Sequence, residues 1–237
     1  MNQTPFDGTA HMAANPFKRT YRPTAKNPAT LRTTSSLDDI LALYEESLDT
    51  AVDGNNYHHG VFYNSISQKV DPRRCITPSD INQFILLTQS FEKHEYYTHT
   101  TGMWISLLMN RAYNQGHNKF YLDLQNTKPL DCIGFNLAGN RNKKIKVMIE
   151  GTVGDEFGAQ SQHAVFYCRE GNLLFSPSFV NSTFYLGRTS ILSGRVYEHF
   201  RIRINGYSQS CYQMLPHEFE AAWNHAKKII ERNCNGS

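Results

Sequence analysis

His94-Glu95-Tyr96-Tyr97-Thr98-His99 is one of the few stretches of this chain that approaches a metal-binding motif. The zincin pattern H-E-x-x-H works because imidazoles at i and i+4 share one helix face. Here Thr98 stands where the second histidine belongs, and ligands at i and i+5 do not share a face. His58-His59 reads as a solvated pair in a loop. Cys168 follows His163, with Asp155 further back, and cysteine with histidine is a working nucleophile pair. Yet Cys168 falls in one column with Leu186 and Ile204, the pattern of a core thiol. Cys132, beside Asp131, follows the same logic. His163, Asn181 and His199 recur at equal steps and form a polar edge, read as a hydrogen-bonded ladder or a strip that binds a ligand. There is no P-loop, no dinucleotide fingerprint and no G-x-S-x-G elbow. The expectation is therefore no catalytic group, no metal and no cofactor.

What must position such residues shows a rhythm. From Gly151-Thr-Val-Gly154-Asp-Glu-Phe-Gly158 onward, like residues return every 18 positions. Gly154 leads to Asn172, Ser190 and Ser208, and Gly158 to Ser176 and Gly194. The apolar positions Phe166, Phe184 and Ile202 keep the same step. A fixed period of this length is the mark of a stacked coil. One strand and its turn take roughly 8 to 12 residues, so a repeat of 18 holds two such units. Glycine, asparagine and serine would sit at the corners and phenylalanine inside. An antiparallel meander of hairpins is the alternative.

Gly151-x-x-Gly154-x-x-x-Gly158 resembles the G-x-x-G-x-x-x-G repeat of the β-helix domain in the large subunit of glutamate synthase. It is also similar to a subunit of formylmethanofuran dehydrogenase and to archaeal proteins with Gly-Asp-x-x-Gly motifs. The resemblance covers residues 145–212 at most and implies a structural spacer, not a reaction.

The rest of the chain reads as helices first, then strands, then a helix. Leu37, Ile40, Leu41, Tyr44 and Leu48 predict a helix over 37–50. Thr77-Pro78-Ser79-Asp80 opens a second, to about Glu92, and a third runs from Thr101 to Asn114. Gly60–Tyr63, Lys119–Leu124, Cys132–Leu137 and Lys146–Ile149 read as strands. Pro216 opens a last amphipathic helix carrying Phe219, Trp223, Ala226, Ile229 and Ile230. The expected fold is α+β: a short β-solenoid, right-handed and β-helix-like, of about three to four coils, with an N-terminal helical part and a C-terminal capping helix. The expected divisions are an extended basic arm at 1–35, a helical region at 36–117, the solenoid-like repeats at 118–214 and the cap at 215–237.

Composition excludes several classes. The 237 residues are 40% hydrophobic, and no apolar run reaches the roughly 20 residues that span a bilayer. No apolar core follows the first Met, so no signal peptide is expected. The five cysteines are scattered without a C-x-x-C pair, which argues for reduced thiols in the cytoplasm. Net charge is +3 and concentrated at the start: Lys18, Arg19, Arg22, Lys26 and Arg32 oppose only Asp7 in residues 1–35. With four prolines, that segment cannot bury enough apolar surface to fold alone. Cations neutralise phosphates and aromatics stack on bases, so Lys18, Arg19, Tyr21, Arg22, Lys26 and Arg32 form the candidate contact for nucleic acid or another partner. The leading expectation is a non-enzymatic scaffold whose arm docks on a larger protein or ribonucleoprotein assembly, away from membranes. RNA or ribosome binding through the arm is the alternative. An enzyme with its site between helices and repeats, using His163 and Asp155, is the third reading.

Overall fold

The computed structural model describes residues 35–51, 59–171, 182–189, 199–204, 207–213 and 216–234. The basic arm, with Lys18, Arg19, Tyr21, Arg22, Lys26 and Arg32, lies outside these residues, as does Asn181.

Helix α1 is Ser35–Ala51, and it buries the stripe Leu37, Ile40, Tyr44 and Leu48. Helix α2 is His59–Lys69, where Gly60–Tyr63 was expected as a strand. The reason is spacing: Tyr63, Ile66 and Val70 are all buried, and only a helix puts positions three, four and seven apart on one face. Helix α3 is Pro78–Thr88, followed by a 3-10 turn at Gln89–Phe91. Its start is a full capping box. The Asp80 amide donates to Thr77 Oγ1, and the Thr77 amide donates to Asp80 Oδ2. Thr77→Ala is expected to cost about 1 kcal/mol of stability, readable as a lower denaturant midpoint at unchanged slope. Helix α4 is Tyr97–Asn114 and starts four residues earlier than the sequence suggests. Met103 to Met109 are buried without a break, so α4 is a central helix with no solvent face over two turns.

Among the described residues six strands form one sheet: β1 Lys119–Asp123, β2 Ile145–Val153, β3 Ala164–Gly171, β4 Thr183–Thr189, β5 His199–Ile204 and β6 Tyr207–Gln213. Their order is β1-β2-β3-β4-β6-β5, parallel throughout except between β5 and β6. Helix α5, Pro216–Cys234, completes the described elements. No helix among the described residues is long and apolar enough to cross a membrane.

This corrects the expected solenoid of three to four coils: the described residues form a mostly parallel sheet combined with five α-helices. The 18-residue beat survives only locally. Val165 pairs with Thr183 and Phe166 with Phe184 at that step, and the two phenylalanine rings stack 4.8 Å apart. Between β2 and β3 the step is 19 until an irregularity between Ile149 and Thr152. Beyond β4 it fails altogether. Phe184 pairs with Cys211, while Ile202 pairs with Gln209 in the antiparallel hairpin. His199 pairs with Tyr212.

Alternation along the strands explains the layers. Phe120, Leu122, Val147, Ile149, Phe166, Cys168, Phe184 and Leu186 join the main core with α1–α4. The residues between them, Tyr121, Met148 and Tyr167, face Phe219, Trp223, Ala226 and Ile230 of α5. Helix α5 thus covers a face of the sheet, where a cap on the end of a coil was expected. Cys168 is a buried core thiol, as its column indicated.

Candidate functional site

The segment Cys132–Leu137, expected as a strand, is a series of turns. Cys132 (φ 58°), Gly134 (φ 79°) and Asn136 (φ 53°) are all left-handed. The segment 156–160 does the same with Glu156 (φ 56°), Gly158 (φ 67°) and Gln160 (φ 59°). The two lie side by side. The Cys132 amide donates to Asp155 O, Gly158 to Ile133 O, Asn136 to Ala159 O and Gln162 to Leu137 O. Their sequences match, Asp131-Cys-Ile-Gly134-Phe-Asn136 against Asp155-Glu-Phe-Gly158-Ala-Gln160. In both, an Asp-x-apolar-Gly-x-Asn/Gln hexapeptide puts glycine at a left-handed position and an amide residue, also left-handed, two places on; asparagine tolerates that conformation better than glutamine. Stacking the copies makes their second positions, Cys132 and Glu156, neighbours. This repeat was the signal in the sequence, and the 18-residue beat masked it.

Helix α4 fixes this floor through a polar seam. Ser106 Oγ donates to Cys132 O at 3.0 Å and accepts from the Gly134 amide at 2.8 Å. Asn110 Nδ2 donates to Asn136 O, and Asn110 Oδ1 accepts from the Ala138 amide. Tyr113 OH donates to Lys143 O. Asp131 holds the entrance to the turn: Thr98 Oγ1 donates to its Oδ2 at 2.8 Å, and the Asp155 amide donates to its Oδ1 at 2.8 Å. Gly102 and Gly154 allow the close approach. A Cβ on Gly102 would lie 1.7 Å from Asp131 O, and one on Gly154 would lie 2.0 Å from Asp131 Oδ1.

Two histidines complete the group. His99, in the first turn of α4, has Nδ1 3.5 Å and Nε2 3.7 Å from Cys132 Sγ. His59, the first residue of α2, has its ring 4.3 Å from that of His99. Its Nδ1 lies 2.5 Å from Glu156 Oε2, which also accepts from Cys132 Sγ at 3.7 Å. One ring nitrogen each of His59 and His99 and the sulfur of Cys132 lie within 4.8 Å of one another. The layering is ordered. Cys132 is fully buried, while the side chains of His59 and Glu156 are 28% and 34% exposed.

Electrostatics follow from that burial. Loss of water, helped by the neighbouring His59, pulls the His99 imidazole down to about 4, against a smaller opposing pull from Asp131. Burial pushes the Cys132 thiol up, and the carboxylates of Glu156, Asp131 and Asp155 push the same way. Without a further positive charge, the site thus keeps a neutral thiol beside a neutral imidazole.

Of the residues singled out in the sequence, His59, His99 and Cys132 meet here, although the local pattern reads each of them as non-functional, and Glu156 is not singled out there at all. His94 stays outside the group, its Nδ1 accepting from the Tyr96 amide. Asp155 borders the site through its backbone carbonyl. His163 is a left-handed turn residue (φ 49°) whose carbonyl accepts from the Ile145 amide. Comparison with protein-family models, with characterised proteins and with solved structures finds no match, so the site has to be read from its own chemistry.

Proposed function

We propose that this chain is an enzyme whose active centre is the His59–His99–Cys132–Glu156 cluster, and that it catalyses hydrolysis of a small polar substrate. The observation that carries this reading is convergence: two imidazoles, a thiol and a carboxylate from four separate segments meet at one partly open point. Scaffold contacts do not call for that combination. A pair of left-handed non-glycine residues, Cys132 and Glu156, adds support, because such conformations cost about 1–3 kcal/mol each and concentrate at functional sites.

The burial order supports the following roles. Cys132 is covered, so it is badly placed to attack a substrate directly. Glu156 stands at the mouth and is the group for proton transfer. Water forms the new bond to the electrophilic carbon of the substrate, Glu156 takes the water proton, and the same proton passes to the leaving group. His59 holds the Glu156 carboxylate in place.

The test is a pooled set of small amides, esters and exocyclic amines, incubated with the protein in 18O-labelled water and read by mass spectrometry. One class of product is expected to carry the label, at least about 100-fold more slowly with Glu156→Gln. Absence of labelled product from the whole pool, or equal labelling by Glu156→Gln, overturns the reading.

A further inference from the structure

The geometry points to a metal centre: we propose that His59, His99 and Cys132 bind one divalent transition ion of the zinc class. This rests on the reading of the same cluster as an active centre, and it supplies the electrophile that the acid–base group alone lacks.

Distances come first. With metal–nitrogen bonds of about 2.0–2.1 Å and a metal–sulfur bond of about 2.3 Å, the nitrogen–sulfur edge of a tetrahedron is about 3.5 Å. His99 lies at that distance from Cys132 Sγ, and a turn of the ring chooses whether Nδ1 or Nε2 faces the ion. The third ligand is within reach, since all three donor atoms fall inside 4.8 Å.

The support around the ligands is of the kind that metal sites need. A ligating histidine normally gives its other ring nitrogen to a carboxylate, which orients it and strengthens it as a donor. His59 Nδ1 is held in this way by Glu156. Cys132 is fixed on both sides of its peptide, by the Asp155 carbonyl and the Ser106 hydroxyl, on a turn seated at Gly102. The carboxylates of Glu156, Asp131 and Asp155 act on the Cys132 thiol. A dication balances them, where a bare thiolate would add to their charge.

Ligand type selects the ion. Thiolate with two imidazoles suits zinc and its neighbours, whereas magnesium and calcium want oxygen donors. Three protein ligands leave a fourth position for water, the hallmark of a catalytic site as opposed to a structural one. Glu156, the partly exposed carboxylate beside these ligands, would take the proton of water held there. Binding itself releases the thiol proton to solvent.

The experiment uses the full chain, stripped with a chelator and then titrated with cobalt(II), a spectroscopic substitute for zinc. One cobalt per chain is expected, with an intense sulfur-to-metal charge-transfer band in the near ultraviolet and tetrahedral bands in the visible. Adding zinc should bleach both. Cys132→Ser should lose the charge-transfer band, and His99→Gln should weaken binding at least about 100-fold. Glu156→Gln should keep the band with affinity lowered about 10- to 100-fold. Far-ultraviolet circular dichroism confirms that each variant folds, and the wild-type titration decides the question even where a variant does not. No charge-transfer band in the wild-type protein, or an unchanged band in Cys132→Ser, overturns the proposal. If labelled product forms without any bound metal, the metal reading falls while the hydrolytic one stands. If the metal binds and no product forms, the reverse holds.

Discussion

Gly102→Ala is expected to disable the site without disturbing helix α4. In a helix interior, alanine is favoured over glycine by about 1 kcal/mol, so local propensity predicts a gain. Packing predicts a larger loss. The new Cβ would stand 1.7 Å from the carbonyl oxygen of Asp131, and the obstacle is backbone, which cannot swing aside like a side chain. The turn would have to retreat by roughly 1.5 Å or more to reach ordinary contact. That retreat carries Cys132 away from His99, breaks the Ser106 bridge and strands the Gly134 amide. Overpacking of this kind costs about 1–3 kcal/mol. A displacement near 1 Å at a reacting centre costs about 100-fold in rate. The measurements are the rate of 18O labelling, the cobalt spectrum and the unfolding midpoint. Gly60→Ala is the matched control. Gly60 also lies in a helix but has nothing within 4 Å of its would-be Cβ, so that variant should hold or gain stability. Equal gains from both substitutions would mean that the turn is not seated on α4.

Trp223→Ala should cost about 3–5 kcal/mol, the range for a fully buried large aromatic. Trp223 is the centre of the small second core, packed with Phe219, Ala226, Ile230 and Met148. The Arg169 guanidinium lies 4.6 Å from its ring centre, and the same side chain pairs with Glu150 at 3.0 Å and with Glu220. Removing the indole takes away the apolar anchor and the surface on which that cation stacks. The expected order of failure is specific. Limited proteolysis should cut first within 216–234, and the unfolding midpoint should fall together with it. Arg169→Ala should cost markedly less, because its ion pairs with Glu150 and Glu220 are only partly buried and exposed pairs contribute about 0–1 kcal/mol. Comparable losses from the two variants would remove the indole from its central place.

How much of this was legible in the sequence depended on range. The helices at α1, α3 and α5 were readable because the causes are local: apolar residues on one stripe, a Thr-Pro-Ser-Asp start, a proline opening. Strand β1 alternates plainly over Lys119–Asp123. The 18-residue beat was real between β3 and β4, where like rings stack, and misleading beyond them. Repeats in sequence reported pairing of neighbours, and nothing in them said whether the sheet would close into a coil or lie between helices. The site was illegible for a different reason. His59, His99, Cys132 and Glu156 are far apart along the chain, and each has an innocent local explanation. Only docking of α2 and α4 on the stacked turns brings them together. His99 meets Cys132 and His59, residues that its spacing from His94 does not involve.

The left-handed turn at 132–136 has one further consequence, in folding order. Its residues alternate apolar and polar, and that pattern favours an extended chain. The native conformation goes against this preference at every second residue and holds only because Ser106, Asn110 and the 155–162 segment supply its hydrogen bonds. Local and global instructions therefore conflict here, a small island of frustration in an otherwise consistent sequence. Before α4 is docked, the segment has no reason to leave the extended state. The floor of the site is thus among the last parts to form and among the first to open, so the amides of Cys132 and Gly134 should exchange with solvent earlier than those of the flanking strands. An ion bound across that floor would tie this late-forming turn to the helices that carry His59 and His99, and metal occupancy would then report completion of the fold.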